Sequence, residues 1–235
     1  CGLDLIEFIF DFNDAEENPL LKSGGVNEIV KVSKDTGVSV KTICADYFME
    51  APLHSSDDKV AKESFKILER LLEISKVLKI TDIVIPCVDQ SSLETKEAVA
   101  RFTQQIIKII PAIEKENINL SLETDLAPKP FFELLDRLNS KNITVNYDIG
   151  NSAALGFDSD EELAAYGNRI TDIHIKDRVL GGGPVTLGEG NADFVKFFNR
   201  LKEFDYQGPF IMQAYRDEEG VSIFKSQLDW VKRYL

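Results

Sequence analysis

Histidine is scarce in this chain of 235 residues, which has only His54 and His174, and cysteine is scarcely commoner, at three. Cys1, Cys44 and Cys87 are too few and too dispersed for a disulfide framework, which points to a reducing cytoplasm. Positive charge is also short. Against 40 acidic residues stand 27 Lys and Arg, a net charge of -13, which argues against a nucleic-acid surface, where basic groups must neutralise phosphates. No apolar run approaches the ~20 residues that span a bilayer, so no membrane partner is expected. The chain begins at Cys1 and not at Met, so the want of a leader excludes nothing. What is present is ordinary for a globular protein, with 43% hydrophobic and 29% charged residues.

Strand and helix signals alternate along the whole chain. Apolar, β-branched runs predict strands at Leu3 to Phe10, Val38 to Ala45, Thr81 to Val88, Asn119 to Glu123, Ile143 to Ile149, Ile170 to Lys176 and Pro209 to Ala214. Between them lie helical patterns: from Val26 to a stop at Gly37, from Asp57 to Lys79 with a stripe of Val60, Phe65, Leu68, Leu71, Leu72 and Val77, and near Pro130 to Leu138. Others run over Glu161 to Tyr166, Ala192 to about Phe204 and Ile223 to Tyr234. Ser91 and Glu94 have capping-box spacing before a helix reaching about Glu116, which Pro111 should kink or interrupt. Parallel neighbours need crossovers, so this alternation implies an α/β fold with a parallel sheet. An open doubly wound sheet would usually carry a glycine fingerprint after its first strand, and Phe10-Asp-Phe-Asn has none. Seven units without a dividing linker point to one domain over residues 1–235, a (β/α)8 barrel whose first strand and helix are missing from this chain.

In such a barrel the active groups sit at the C-terminal ends of strands. Those ends carry Glu123, Asp148, His174 and Gln213 on four successive strands. Side chains alternate along a strand, which groups Ser121 with Glu123, Asn146 with Asp148, and Asp172 with His174. Two carboxylates, an imidazole and an amide oxygen converging on one mouth suit a divalent cation, Mg²⁺ or Mn²⁺ by their oxygens, Zn²⁺ or Co²⁺ by the imidazole. A lone acid at a strand end is more often a cap or loop partner; four in succession form a different pattern.

The segments LSLETD, NYDIGNS, DIHIKDR and VTLGEGNADF resemble the xylose-isomerase-like barrel superfamily of sugar and sugar-phosphate isomerases and epimerases, over essentially the whole chain. The resemblance implies metal ligands at Glu123, Asp148, His174 and Gln213. It also implies proton transfer through a metal-bound enediolate of a ketose or ketose phosphate, with Glu123 as the base. The epimerases of this superfamily commonly carry Glu where this chain has Gln213, and the two glutamates are thought to act from opposite sides. An amide binds metal through oxygen but accepts no proton. Two-base epimerisation is thereby put in question, one-base chemistry at Glu123 survives, and a non-catalytic or altered-function sugar-binding barrel is the alternative. The superfamily's endonuclease branch needs many histidines for its zinc ions, and two are present.

Lys176, Asp177 and Arg178 follow at the mouth, either to bind substrate oxygens or as an ion-paired loop. In the loop from Gly181 to Gly190, amides near Gly188 and Gly190 either cradle a phosphate, helped by Arg178 and Arg216, or form a mobile lid or tight turn. Glu189 would oppose an anion if it pointed inward. His54 is expected to be exposed unless it enters the mouth, Cys44 and Cys87 belong to the core, and Glu7 and Asp46 at most support the site or contact substrate. The expected partner is a small-molecule sugar or sugar phosphate. An incomplete barrel exposes the flanks of its end strands, to be covered either by another segment or by a second copy in a homo-oligomer.

Overall fold

The computed structural model describes residues 2–215 and 220–235. They fall into two compact units, one of Gly2–Leu126 with Glu133–Thr144, the other of Ala127–Phe132 with Val145–Leu235. Along the chain come β1 (Leu5–Ile9), α1 (Gly25–Thr36), β2 (Ser39–Cys44), α2 (Tyr47–Glu50), α3 (Asp58–Leu78), β3 (Asp82–Cys87), α4 (Lys96–Glu116) and β4 (Asn119–Thr124). Then follow α5 (Pro128–Leu138), β5 (Ile143–Asp148), α6 (Ile149–Leu155), α7 (Ser159–Tyr166) and β6 (Ile170–Ile175). The rest is β7 (Asp177–Arg178), β8 (Pro184–Val185), α8 (Phe194–Leu201), β9 (Phe210–Met212) and α9 (Val221–Val231).

The seven longer strands make one sheet in the order β1-β2-β3-β4-β5-β6-β9. The pairs β1·β2, β2·β3, β3·β4, β5·β6 and β6·β9 are all parallel. An order that never reverses is the one a (β/α)8 barrel follows, whereas a doubly wound sheet turns back at a switch point. The barrel topology expected from the sequence is therefore the one observed. The inner strands of the sheet are buried on both faces, whereas no residue of β1 is buried. Ile83, Leu120, Leu122 and Ile143 are 0% exposed on one side, and Thr42, Ser121 and Asp172 are 0% exposed on the other.

Helix limits follow capping chemistry. Asp57 accepts the Lys59 amide at 2.8 Å to start α3, and Lys79 in the left-handed region ends it. Its buried stripe is Ala61, Ser64, Ile67, Leu68, Leu71, Leu72 and Ser75. Burying each leucine contributes about 1.5–3 kcal/mol. Val77, expected in that stripe, is 60% exposed because the buried face runs through Ser75. The expected cap at Ser91 is not observed. Thr95 caps α4 by accepting the Ala98 amide at 3.1 Å, while the Ser91 hydroxyl donates to the carbonyls of Pro86 and Val88. Pro111 does not interrupt α4. It lies exposed, and Ile107, whose carbonyl loses its partner, is 51% exposed, so water can satisfy that oxygen. Among the described residues no helix is long and apolar enough to cross a membrane.

Candidate active site

In the unit that holds β5 and β6, Asn146 pairs with Asp172, and Asp148 with His174. Laterally paired residues of a parallel ladder point the same way, so these four share one face, opposite Tyr147 and Ile173. Asp172 and His174 are 0% exposed, Asn146 3% and Asp148 5%. The back face anchors them. Tyr147 donates to the buried Glu162 carboxylate at 2.6 Å, Tyr166 does so at 2.9 Å, and Ser152 donates to it as well. Burial raises the Glu162 carboxyl above the usual range, against the lowering effect of those hydroxyl bonds. The Tyr147 ring also stacks on Phe197 at 4.8 Å. β5 is thus tied to α6, α7 and α8 behind it, and the carboxylate at its end is held by a rigid support.

Asp148 is more than a strand end. Ile149, expected as the last strand residue, is the first residue of α6, and Asp148 caps that helix by accepting the Asn151 amide on Oδ1 at 2.8 Å. Oδ2 is left facing His174 Nδ1 at 4.0 Å and Lys176 Nζ at 3.4 Å. The same face bears the Asn146 amide, whose oxygen and nitrogen have no hydrogen-bond partner among the described residues. Ile211 of β9 pairs with His174, and the Gln213 amide donates to the Ile175 carbonyl at 3.0 Å. Gln213 itself lies one residue past the end of β9.

The glycine-rich segment is a pinned ribbon. β7 and β8 pair antiparallel, and the Gly181 amide donates to the Ala154 carbonyl at 2.8 Å. Asp177 is 0% exposed. Its carboxylate accepts the amides of Gly188 and Gly190, each at 2.9 Å, and of Ala192 at 3.1 Å. The nest expected to cradle a phosphate is occupied by the chain's own carboxylate, which corrects the role given to Gly188 and Gly190. A Cβ on Gly190 would meet Asp177 Oδ1 at 2.1 Å, so only glycine permits the approach. Arg178 is engaged too, donating from Nε to the Gly182 carbonyl at 2.9 Å and from Nη1 to Asn151 Oδ1 at 2.8 Å. Glu189 is exposed, and Arg216 lies outside the described residues. Neither of two clefts in this unit contains a predicted site residue: Phe132, Ala164 and Ala165 help line one of about 560 Å³, and Ser152, Asp158 and Lys196 one of about 190 Å³.

In the other unit Glu123 is 7% exposed and pairs with Pro86 across β3·β4. Its charge is felt by two buried thiols. Burial first, then Glu7, Asp46 and Glu123, push Cys44 up; burial, Asp125 and Glu123 do the same to Cys87. Neither is a thiolate nucleophile, in keeping with the core role expected of them. Glu7 Oε2 accepts from the Thr42 hydroxyl at 2.9 Å, and the Cys44 thiol donates to Asp46 Oδ1 at 3.1 Å.

His54 corrects the expectation of exposure. It is 5% exposed, edge-on to Phe102 at 6.0 Å, and its backbone carbonyl accepts from Arg101 Nε at 2.7 Å. Burial and then the Arg101 charge push the ring down to about 4, against the effect of a hydrogen bond with the Ser92 backbone. The unfolded ring titrates near ~6.5, so the unfolded state binds more protons between the two values and stability falls as pH drops through that window. Urea unfolding at pH 7 and pH 4.5 should show His54→Gln losing about 1–2 kcal/mol less than the parent, screening by nearby water allowed for. Equal losses would place the acid sensitivity elsewhere.

A family model described as "Xylose isomerase-like TIM barrel" matches residues 1–234. The putative L-ribulose-5-phosphate 3-epimerase SgbU of Haemophilus influenzae is 26% identical over 241 residues, covering 93% of this chain and 81% of that protein. The L-ribulose-5-phosphate 3-epimerase UlaE of Salmonella paratyphi A is 26% identical over 246 residues, covering 98% and 85%. Among solved structures, the IOLI protein with a bound zinc atom superposes with a TM-score of 0.81 at 18% identity, covering 100% of this chain and 90% of that one.

Proposed function

The chain belongs to the xylose isomerase-like TIM barrel family, and from that premise we propose a metal-dependent isomerase or epimerase of a ketose or ketose phosphate, built as one barrel domain. The observation that carries the reading is the buried rung of Asp148 and His174. Asp148 Oδ2 and His174 Nδ1 are 4.0 Å apart, within the ~4.2 Å that two metal–ligand bonds of about 2.1 Å span end to end. Glu123, near the end of β4 in the other unit, is assigned as a further ligand of that ion. Gln213, just past β9, would add an amide oxygen, and the Asn146 amide one rung away, without a hydrogen-bond partner among the described residues, gives a bound water a place.

The residues suit Mn²⁺, Mg²⁺, Co²⁺ or Zn²⁺. When bound, such an ion polarises a substrate carbonyl and offsets the charge of an enediolate. Glu123, a carboxylate 7% exposed, removes the proton from the carbon beside that carbonyl and returns it. Lys176 would bind the substrate oxygens, with Arg178 and Arg216 as the further groups assigned to them. The relatives named as L-ribulose-5-phosphate 3-epimerases favour a phosphorylated ketose. Gln213 accepts no proton, so transfer on one face by Glu123 is favoured over inversion between two bases. That substitution also supports a second reading, a sugar-binding barrel without turnover.

Full-length protein incubated with ketoses and their phosphates in D₂O, with each of the four cations in turn, separates these. Deuterium entering at the carbon next to the carbonyl is the expected result, and removal of the cation by chelation should abolish it. Cation binding without exchange in any ketose would leave only the binding protein.

A further inference from the structure

We propose that Lys176 is a tethered counter-cation that gives up Asp148 to the metal and then binds an oxyanion on the substrate, so that metal and anion bind cooperatively through it. The inference rests on the metal-site reading above. Asp148 has one oxygen committed, since Oδ1 accepts the Asn151 amide at 2.8 Å and caps α6. Oδ2 is 3.4 Å from Lys176 Nζ and 4.0 Å from His174 Nδ1. The oxygen open to a metal is therefore the one that Lys176 holds.

The lysine is built into this place. A Cβ at Gly150 would lie 2.8 Å from Lys176 Cγ and 3.0 Å from its Cβ and carbonyl carbon, so the glycine clears the path for the lysine stem. The Lys176 side chain is 21% exposed and that of Asp148 1%, which sets the ammonium at the boundary between the buried carboxylate and solvent. A divalent cation on Oδ2 repels an ammonium a few ångströms away in a poorly screened site. The flexible four-carbon stem lets that ammonium turn toward the solvent side, where an incoming phosphate or carboxylate is its natural partner. Linkage makes the effect reciprocal: an anion that holds Lys176 away from Asp148 tightens the metal by the same factor.

Calorimetric Mn²⁺ titration of the full chain tests this, with inorganic phosphate, acetate or neither present. In the parent, phosphate or acetate should tighten Mn²⁺ binding about tenfold, and whichever does so more strongly identifies the anion class. Lys176→Met should bind Mn²⁺ about tenfold more tightly without anion and show no response to either. Lys176→Gln should repeat that result, and Lys176→Arg should keep the coupling. Unchanged Mn²⁺ affinity in Lys176→Met, or the same anion response, would overturn the inference and leave the metal site standing, because the anion then sits on the cation. Failure of parent and variants alike to bind Mn²⁺ would remove both.

Discussion

Glu123→Gln is expected to slow solvent proton exchange into the ketose by about 10²- to 10⁴-fold, the usual worth of a positioned general base. The amide keeps the shape of the carboxylate and an oxygen for the cation, but accepts no proton. The side chain is 7% exposed in β4, so an isosteric replacement leaves the packing intact. Removing a charge near a cation weakens metal binding, so the assay requires saturating metal, with occupancy checked by calorimetry. Under those conditions kcat and kcat/KM should fall together, the sign of an interaction made only in the transition state. Exchange at the parent rate would remove Glu123 as the base. A parallel rise in KM alone would make it a substrate contact.

Asp177→Ala should lower the unfolding free energy by about 3–5 kcal/mol, a large share of the roughly 5–15 kcal/mol that holds a domain together. The carboxylate is 0% exposed and accepts three amides, those of Gly188, Gly190 and Ala192. Hydrogen bonds to a charged group contribute about 1.5–3 kcal/mol each, and a buried donor left without its acceptor adds a desolvation penalty. Asp177→Asn should fall between, because its amide nitrogen would point at amide donors. Urea denaturation measures both, and hydrogen exchange at Gly188 and Gly190 should quicken with the loss. A change under about 1 kcal/mol would mean that water replaces the carboxylate and that the ribbon is held by its other bonds.

The same aspartate shows where reading the chain stops. Its three donors lie 11, 13 and 15 positions downstream, and no local pattern signals that an acid will fold back into a glycine nest. The glycines near 188 were legible as a backbone anion site; which anion was not. Asp148 is similar. Its place at a strand end was visible, yet α6 has only seven residues, too few for a helical period to emerge. The cap that commits Oδ1 was hidden with it. Thr95 prevailed over Ser91 as a helix cap because Ser91 was needed to bond the carbonyls of a turn after β3, a competition that spacing cannot rank. Pro111 survived inside α4 because its side of the helix meets water.

By itself the sequence determined the alternation of strands and helices, the parallel crossovers and the polar character of one strand face, because these follow from local periodicity and the chirality of the chain. It also determined that Gln213 is an amide and cannot act as a base. Only the tertiary structure decided that His54 is buried beside Arg101, that Lys176 and His174 face the same oxygen of Asp148, and that Asp177 fills the glycine nest. Those outcomes depend on which residues distant in the chain come within a few ångströms of one another, and on how each buried polar group is satisfied once water is gone.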